Sequence, residues 1–227
     1  MLKAILFDCD GVLVDSEPVH FVMFQKVLAE EGIVLTYEDY ETRYLAMDDR
    51  GCFRAVYRDA DKDMSDDLLD DLVARKATYF AEEMSGEPPT FDGVVEFVRN
   101  AAAKYPMMIA SGALGREVKH AIVGLQISDC FKSIVAAEDV VNGKPNPEAY
   151  LTAKARMSEA EFGGELKAEE CLVIEDSFHG VRAAKSAGMW CLAVTNSYPA
   201  SELTEADWVS ESLRAFSIET VEQALQS

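Results

Sequence analysis

Basic residues are scarce in this sequence. Lys and Arg number 21 against 41 Asp and Glu in 227 residues, and the formal net charge is -20 at pH 7. A charge of this sign repels nucleic-acid phosphates and anionic lipid surfaces, so we expect neither nucleic acid nor a membrane as a partner. An anionic small substrate would need local cations and a metal ion to hold it, so each Lys or Arg beside a motif is informative.

Cysteine is also sparse and unpatterned. The five cysteines are odd in number and show no CxxC spacing, which indicates neither a disulfide framework nor a zinc site. No apolar run is long enough to span a membrane, and the start at Met1-Leu2-Lys3 shows no secretory pattern. These features predict a reduced, cytoplasmic location.

Internal repeats and low-complexity segments are missing, and short apolar runs between Gly, Pro or polar residues predominate instead. The runs have the length of buried parallel strands, and they lie at Leu2–Phe7, Met107–Ala110, Cys171–Ile174 and Trp190–Val194. Further strands are predicted near Ser133–Ala137 and, as a last short one, near Trp208. Helical patterns separate the runs, including one that Asp92 could cap, one from Gly115 to Leu125, one that Asn146-Pro147 starts, and a last one near Ile218. This alternation predicts an α/β fold with a parallel sheet.

The alternation is interrupted after the first strand. From about Ser16 to Gly86 the sequence shows helical stripes and no convincing run for a buried strand. Ser65, followed by Asp66 and Asp67, has the composition of a helix start. The segment is therefore predicted to be a helical insert in the loop after the first strand, joined to the rest of the chain at two hinges.

Functional side chains follow the apolar runs in four places. The stretches are Phe7-Asp8-Cys9-Asp10-Gly11, Ala110-Ser111-Gly112, Gly143-Lys144-Pro145 and Ile174-Glu175-Asp176-Ser177. Open α/β sheets bind ligands at the carboxyl ends of their strands, so these side chains are predicted to share one site.

Asp8 and Asp10 are two residues apart at the end of the first run, so both can project to the same side. Adjacent carboxylates repel, and a divalent metal can ionise one while the other stays able to donate a proton. That division suits an enzyme that forms an aspartyl phosphate. The alternative at this point is a solvated acidic turn.

The other three motifs each have a functional and an ordinary interpretation. Ser111 and nearby N–H groups could hold phosphate oxygens, or Ser111-Gly112 could be only a turn. Lys144 could be a positioned ammonium or a solvated lysine. Glu175 and Asp176 offer the hard oxygen ligands that Mg²⁺ prefers, while Asp176 or Ser177 could instead cap a helix.

The order of all four motifs resembles the haloacid dehalogenase (HAD) superfamily, in the helical-cap subfamily IA, and is most similar to its phosphatases and β-phosphoglucomutase-like members. The resemblance extends to Asp15-Ser16-Glu17, to Pro145-Asn146-Pro147, and to Gly180 and Ala187-Gly188. It implies a doubly wound Rossmann-like parallel sheet core over 1–15 and 88–227 with an inserted α-helical cap domain over 16–87.

The resemblance also implies roles for the motif residues. Asp8 would be the nucleophile that takes the phosphoryl group, and Asp10 the acid that protonates the leaving oxygen and then activates water. Mg²⁺ would be bound by Asp8, the backbone carbonyl of Asp10 and Asp176, with Glu175 a direct or indirect ligand. Ser111 and Lys144 would bind phosphate oxygens. In some relatives the bond that corresponds to Lys144–Pro145 is cis, which predicts the same here.

Further substrate-binding candidates are Gly112, Arg116, His20 on the first cap helix, and the cap residues Arg43 and Arg50. The sequence thus predicts a Mg²⁺-dependent phosphatase of a small phosphorylated, sugar-phosphate-like metabolite, acting as a monomer or weak homodimer. Two alternatives stay open. One is a β-phosphoglucomutase-like phosphomutase, although Leu114-Gly115 lacks the polar phosphate-binding residues of the sugar mutases. The other is an inactive regulatory protein that binds a phosphorylated ligand.

Overall fold

The computed structural model describes residues 1–45, 47, 49–83, 86 and 88–225. Its strands form one six-stranded sheet in the order β3-β2-β1-β4-β5-β6, and every neighbouring pair is parallel. The strands are β1 (Ala4–Phe7), β2 (Met107–Ala110), β3 (Ile134–Val135), β4 (Cys171–Glu175), β5 (Trp190–Val194) and β6 (Trp208–Ser210). The predicted parallel α/β architecture is confirmed, and β2 and β5 have the predicted bounds.

The helices of the described residues lie between most of these strands and after the last one. They are α1 (Glu17–Glu30), α2 (Tyr37–Asp39), α3 (Asp49–Asp59), α4 (Asp66–Glu83), α5 (Val94–Ala102), α6 (Gly115–Gly124), α7 (Glu148–Phe162), α8 (Phe178–Ser186) and α9 (Ile218–Ala224). A π-helical turn (Tyr40–Tyr44) continues α2, and 3₁₀ turns occur at Ser128–Cys130, Ala137–Asp139 and Ala168–Glu170. None of the helices that the structure describes is both long and apolar enough to cross a membrane.

The chain divides into two compact units. The first comprises Met1–Ser16 and Glu87–Ser227, and the second comprises Glu17–Gly86. In the first unit, Asp15 N donates to Pro89 O at 2.9 Å, so the segment that leaves the sheet and the one that returns run side by side. The assignment of the second unit as a cap domain stays a prediction.

The sheet is buried on both faces, which explains why its strands read as continuous apolar runs. Successive residues of a strand point to opposite faces, and β1 follows this rule. Ile5 and Phe7 pack in one core cluster, which α5, α6 and α9 cover. Ala4 and Leu6 pack in the other, beneath α7 and α8. This is the doubly wound arrangement that the resemblance implies.

The second unit has its own apolar core, built from α1, the turns at 37–44, α3 and α4. The described part of this unit contains helices and turns and no strand, as predicted. Leu68 N donates to Ser65 Oγ at 3.1 Å, so Ser65 caps α4. The predicted cap of α5 is wrong. Gly93, with a left-handed φ of 83°, precedes the helix, and the Asp92 carboxylate instead pairs with Arg214.

Candidate active site

The functional motifs meet where the sheet reverses its strand order. Phe7 of β1 is in register with Ile109 of β2 on one side and with Ile174 of β4 on the other. The residues that follow these three, beginning with Asp8, Ala110 and Glu175, therefore lie along one edge of the sheet. Such a switch point is where open α/β sheets form their binding crevice.

A tight turn follows Asp8 and orients the rest of the first motif. Leu13 N and Val14 N both donate to Cys9 O, and Gly11 has a left-handed φ of 72°. A Cβ atom on Gly11 would lie 1.9 Å from Asp176 Oδ2, so only glycine lets the turn approach this carboxylate. Asn196 Nδ2 donates to Gly11 O at 2.7 Å and holds the turn from the loop after β5.

Lys144 joins two of the motifs. Its Nζ lies 2.9 Å from Asp8 Oδ1 and 2.7 Å from Glu175 Oε1, and its side chain is 12% exposed. The Lys144–Pro145 bond is cis, as predicted. The structure therefore places Lys144 as a buried ammonium between two carboxylates rather than as a solvated lysine.

Glu175 is fully buried and surrounded by donors. Its Oε1 accepts from Lys144 Nζ and from Tyr150 OH, each at 2.7 Å. Its Oε2 accepts from Asp176 N, Ser177 N and Ser177 Oγ at 3.0 to 3.2 Å. Because both oxygens accept hydrogen bonds, the orientation of Glu175 beside Lys144 and Asp176 is fixed. Ser177, not Asp176, caps α8 by accepting from Gly180 N.

The site holds more negative than positive charge, and its pKa values reflect this. Burial, with the neighbouring Glu175, raises the pKa of Asp8 to about 7 against the opposing effect of Lys144. Burial, Glu175 and Asp8 also raise the pKa of Asp176 well above its usual value. Burial raises the pKa of Asp10 too, although a hydrogen bond from Ser16 opposes it. Burial acts the same way on Glu175, but Lys144 outweighs it and the pKa is lowered.

The donor set suits a divalent cation. Asp8, Glu175 and Asp176 each bring one carboxylate oxygen within 4.8 Å of the others. Lys144 approaches Asp8 Oδ1 as an ion pair, but this buried oxygen accepts no hydrogen bond of good geometry from the described residues. Clustered carboxylate oxygens facing one ammonium leave excess negative charge, and a hard cation such as Mg²⁺ would balance it.

Other predicted phosphate-binding residues lie at the end of β2. Ser111 is buried, and its Oγ accepts from Ala113 N at 3.0 Å, which shows that it forms a turn. Gly112 is exposed in the same turn. Arg116 is 73% exposed and lies 3.7 Å from Glu117, so it points to an acidic neighbour on the surface of α6.

Three candidates, His20, Arg43 and Arg50, belong to the second unit, where each has a partner. Arg43 lies 3.6 Å from Asp39 and also pairs with Asp59. His20 Nδ1 lies 2.8 Å from Lys76 Nζ, and its ring stacks on Phe80. Burial, together with Lys76, lowers the pKa of His20 to about 3. Arg50 lies 2.6 Å from Asp70, with 48% of its side chain exposed. Their role as substrate contacts stays a prediction.

Sequence reasoning missed three side chains that the structure makes prominent. Ser16 is buried and donates to Asp10, but the sequence singled it out only as part of Asp15-Ser16-Glu17. Tyr150 lies on the helix predicted after Asn146-Pro147, and it is buried with its hydroxyl on Glu175. Lys76 is 1% exposed, and its spacing after Leu69 and Leu72 in α4 was a sign that it lies on the buried face.

Comparison with known proteins points to one family. The family model for haloacid dehalogenase-like hydrolases matches residues 2–188. A phosphorylated carbohydrates phosphatase from Thermotoga maritima is 31% identical over 189 residues, which cover 83% of this chain and 82% of that protein.

Solved structures show the same fold. CbbY from Rhodobacter sphaeroides, in complex with phosphate, is 25% identical with a TM-score of 0.76, over 94% of this chain and 95% of that one. β-Phosphoglucomutase from Clostridium difficile aligns with a TM-score of 0.77 over 100% of this chain and 98% of that one. At 21% identity the latter likeness concerns the fold alone.

Proposed function

Since the chain belongs to the haloacid dehalogenase-like hydrolase family, we propose that it is a Mg²⁺-dependent phosphatase of a small phosphorylated, sugar-phosphate-like metabolite. Asp8 would be the nucleophile of an aspartyl-phosphate mechanism. The observation that carries the proposal is the buried Asp8 carboxylate, which contacts the Lys144 ammonium at 2.9 Å beside the acidic pair Glu175 and Asp176. The named activity of the Thermotoga maritima relative supports the substrate class.

The two aspartates of the first motif divide the chemistry. An oxygen of Asp8 attacks phosphorus, and the bond from phosphorus to the leaving oxygen breaks as Asp10 gives that oxygen its proton. Asp10 then takes a proton from water, whose oxygen attacks phosphorus and releases phosphate from Asp8. The raised pKa of Asp10 supports this role, because it favours the protonated form that an acid needs.

The remaining residues supply position and charge. Lys144 would offset the charge of Asp8 and of the phosphate oxygens, with Glu175 holding the ammonium in place. Asp8 and Asp176 would hold Mg²⁺, which when bound neutralises charge that develops on the phosphoryl group. Ser111 would contribute its hydroxyl to phosphate binding from the end of β2.

One observation favours the phosphatase over the phosphomutase. A mutase must also hold the second phosphate of a bisphosphate, and the start of α6, after Ser111, is a natural anion site. Here Gly115 N donates to both carboxylate oxygens of Glu138 at 3.1 Å, and Leu114 N donates to Glu117 at 3.2 Å. The protein's own carboxylates thus occupy the donors that a second phosphate would use.

The proposal is tested with an aryl phosphate and a panel of sugar phosphates, each with and without Mg²⁺. Asp8→Asn should lower turnover at least about a thousandfold, because a neutral amide is a poor nucleophile and metal ligand. Asp92→Asn is the matched control, since this aspartate pairs with Arg214 on the surface. Retention of most of the turnover by Asp8→Asn would show that the nucleophile is another residue.

A further inference from the structure

Tyr150 combines complete burial with a polar contact to the site. It lies in the first turn of α7 and is 0% exposed. Its hydroxyl donates to Glu175 Oε1 at 2.7 Å. A phenylalanine would fill the same space in the core without the cost of burying a hydroxyl, so the hydroxyl calls for an explanation beyond packing.

The same residue also contacts Lys144. Lys144 Nζ lies 4.8 Å from the centre of the Tyr150 ring, within the range of a cation–π interaction. Both groups donate to the same oxygen, Glu175 Oε1. Tyr150 therefore contacts the Lys144 ammonium through its ring, and it contacts Glu175, which binds that ammonium, through its hydroxyl.

Lys144 and Tyr150 thus share one oxygen of the Glu175 carboxylate. Backbone and side-chain donors of Asp176 and Ser177 occupy Glu175 Oε2. Oε1 would have Lys144 as its remaining donor if the tyrosine hydroxyl were removed. Lys144 also pairs with Asp8 at 2.9 Å. A second donor on Oε1 weakens the attraction between Glu175 and the Lys144 ammonium, which leaves the ammonium free to face Asp8.

We propose that Tyr150 is a positioning residue for phosphoryl transfer, which through Glu175 and its own ring fixes the Lys144 ammonium where it faces Asp8 and the phosphate. This inference rests on the proposed function of the site. Without the hydroxyl, the ammonium would be drawn towards Glu175 and away from the phosphate oxygens. Both phosphate affinity and turnover should then fall.

The test is a double-mutant cycle between Tyr150 and Lys144 in the full chain with Mg²⁺. Binding of inorganic phosphate is measured by calorimetry, and turnover is measured with an aryl phosphate. Tyr150→Phe should weaken phosphate binding about tenfold, the size expected for a lost hydrogen bond to a charged group. In the Lys144→Met background the same substitution should change phosphate affinity less than about twofold, since its effect passes through Lys144.

Tyr105→Phe provides a matched control. Tyr105 also donates its hydroxyl to a carboxylate, that of Glu222 on α9, in the same unit but outside the site. The phosphate affinity of Tyr105→Phe should equal that of the parent. A merely structural role for Tyr150 would lower the unfolding temperature of Tyr150→Phe and leave its phosphate affinity unchanged, and that result would overturn the proposal.

The outcomes separate this inference from the function on which it rests. If the parent binds phosphate and hydrolyses the ester while Tyr150→Phe behaves like it, only the role of Tyr150 is wrong. If the parent does neither, both proposals fail. Should Tyr150→Phe not fold, 3-fluorotyrosine at position 150 keeps the ring and hydroxyl but makes a stronger donor. It should change phosphate affinity about twofold or more, and a change that persists in Lys144→Met would count against the proposal.

Discussion

Ser16 Oγ donates a hydrogen bond of 2.7 Å to Asp10 Oδ1. Ser16 is 3% exposed and is the last residue of the first segment of the sheet unit. A buried hydroxyl bound to one carboxyl oxygen restricts the rotation of that carboxyl. The contact therefore ties the orientation of the proposed acid to the point where the chain leaves this unit.

Ser16→Ala should slow the hydrolysis of phosphate esters with poor leaving groups by about tenfold, a part of the roughly 10²–10⁴-fold that a positioned acid contributes. Aryl phosphates need little proton donation, so their turnover should change about twofold or less. Rates for an alkyl sugar phosphate and an aryl phosphate are compared in both proteins. Ser133→Ala, at an exposed position, is the control. An equal loss on both substrates would indicate a general effect on the fold.

The same substitution should shift the pH dependence of turnover. The Ser16 hydrogen bond lowers the pKa of Asp10 against the effect of burial, so its removal should raise that pKa. An acid works only while protonated, and its activity is lost as pH rises through its pKa. The basic limb of the pH profile for a sugar phosphate should therefore move to higher pH in Ser16→Ala. A shift towards lower pH would contradict the assignment of Asp10 as the acid.

Mg²⁺ should stabilise the protein more at about pH 8 than at about pH 5. The raised pKa values of Asp8 and Asp176 mean that the folded protein keeps protons that the unfolded chain releases. The free energy of unfolding due to Asp8 therefore falls as pH rises from about 4 to about 7, and the part due to Asp176 also falls as pH rises. A bound cation offsets the loss. We expect saturating Mg²⁺ to raise Tm by about 5–10 °C near pH 8 and by less than half of that near pH 5.

Asp176→Asn separates the cation effect from other causes. Without Mg²⁺ the substitution should raise Tm near pH 8, because it removes a buried carboxylate that is costly to ionise. In excess Mg²⁺, Asp176→Asn should lose most of the rise in Tm that Mg²⁺ causes in the parent. Both values come from thermal unfolding in chelator and in excess Mg²⁺. A variant that Mg²⁺ still stabilises as strongly as the parent would remove Asp176 from the metal site.

Acid should destabilise the second unit through His20. Burial and Lys76 lower the pKa of His20 to about 3. Near pH 6, His20 therefore binds a proton in the unfolded chain but stays neutral in the folded unit. The contribution of His20 to stability is therefore lost as pH falls below about 6.5. Urea unfolding at about pH 7 and pH 4.5 should show about 1–2 kcal/mol less acid sensitivity in His20→Gln than in the parent. Equal sensitivity would mean that His20 is protonated in the folded protein.

Sequence patterns were sufficient for the architecture because the sheet is buried on both faces. Runs such as Met107–Ala110 and Trp190–Val194 gave the strand bounds directly. Parallel strand order then brought Asp8, Lys144, Glu175 and Asp176 to one edge, so local motifs became one cluster. The α5 start was wrong because Asp92 pairs with Arg214, a contact between distant residues that local composition does not show.

The rest of the site depends on contacts that sequence spacing does not encode. The hydroxyl of Tyr150 meets a residue 25 positions away, Glu175. The orientation of Glu175 is set by donors from two loops and a helix. A buried lysine such as Lys76 also needs partners from separate helices, here His20 and Asp49.

The start of α6 provides a last prediction, which separates a phosphatase from a phosphomutase. Glu138 and Glu117 accept the hydrogen bonds of Gly115 N and Leu114 N. An incoming second phosphate would have to displace these carboxylates and face their charge. With a hexose phosphate and a catalytic amount of its bisphosphate, the parent should release phosphate faster than it forms the phosphate isomer. Both products are measured in one reaction, and faster isomerisation than hydrolysis would establish a mutase.

Glu138→Ala should bind the bisphosphate about three- to tenfold more tightly, because it frees helix-terminal donors and removes a negative charge. Its KM for the monophosphate should change less than about twofold, and the exposed Glu159→Ala serves as the charge-matched control.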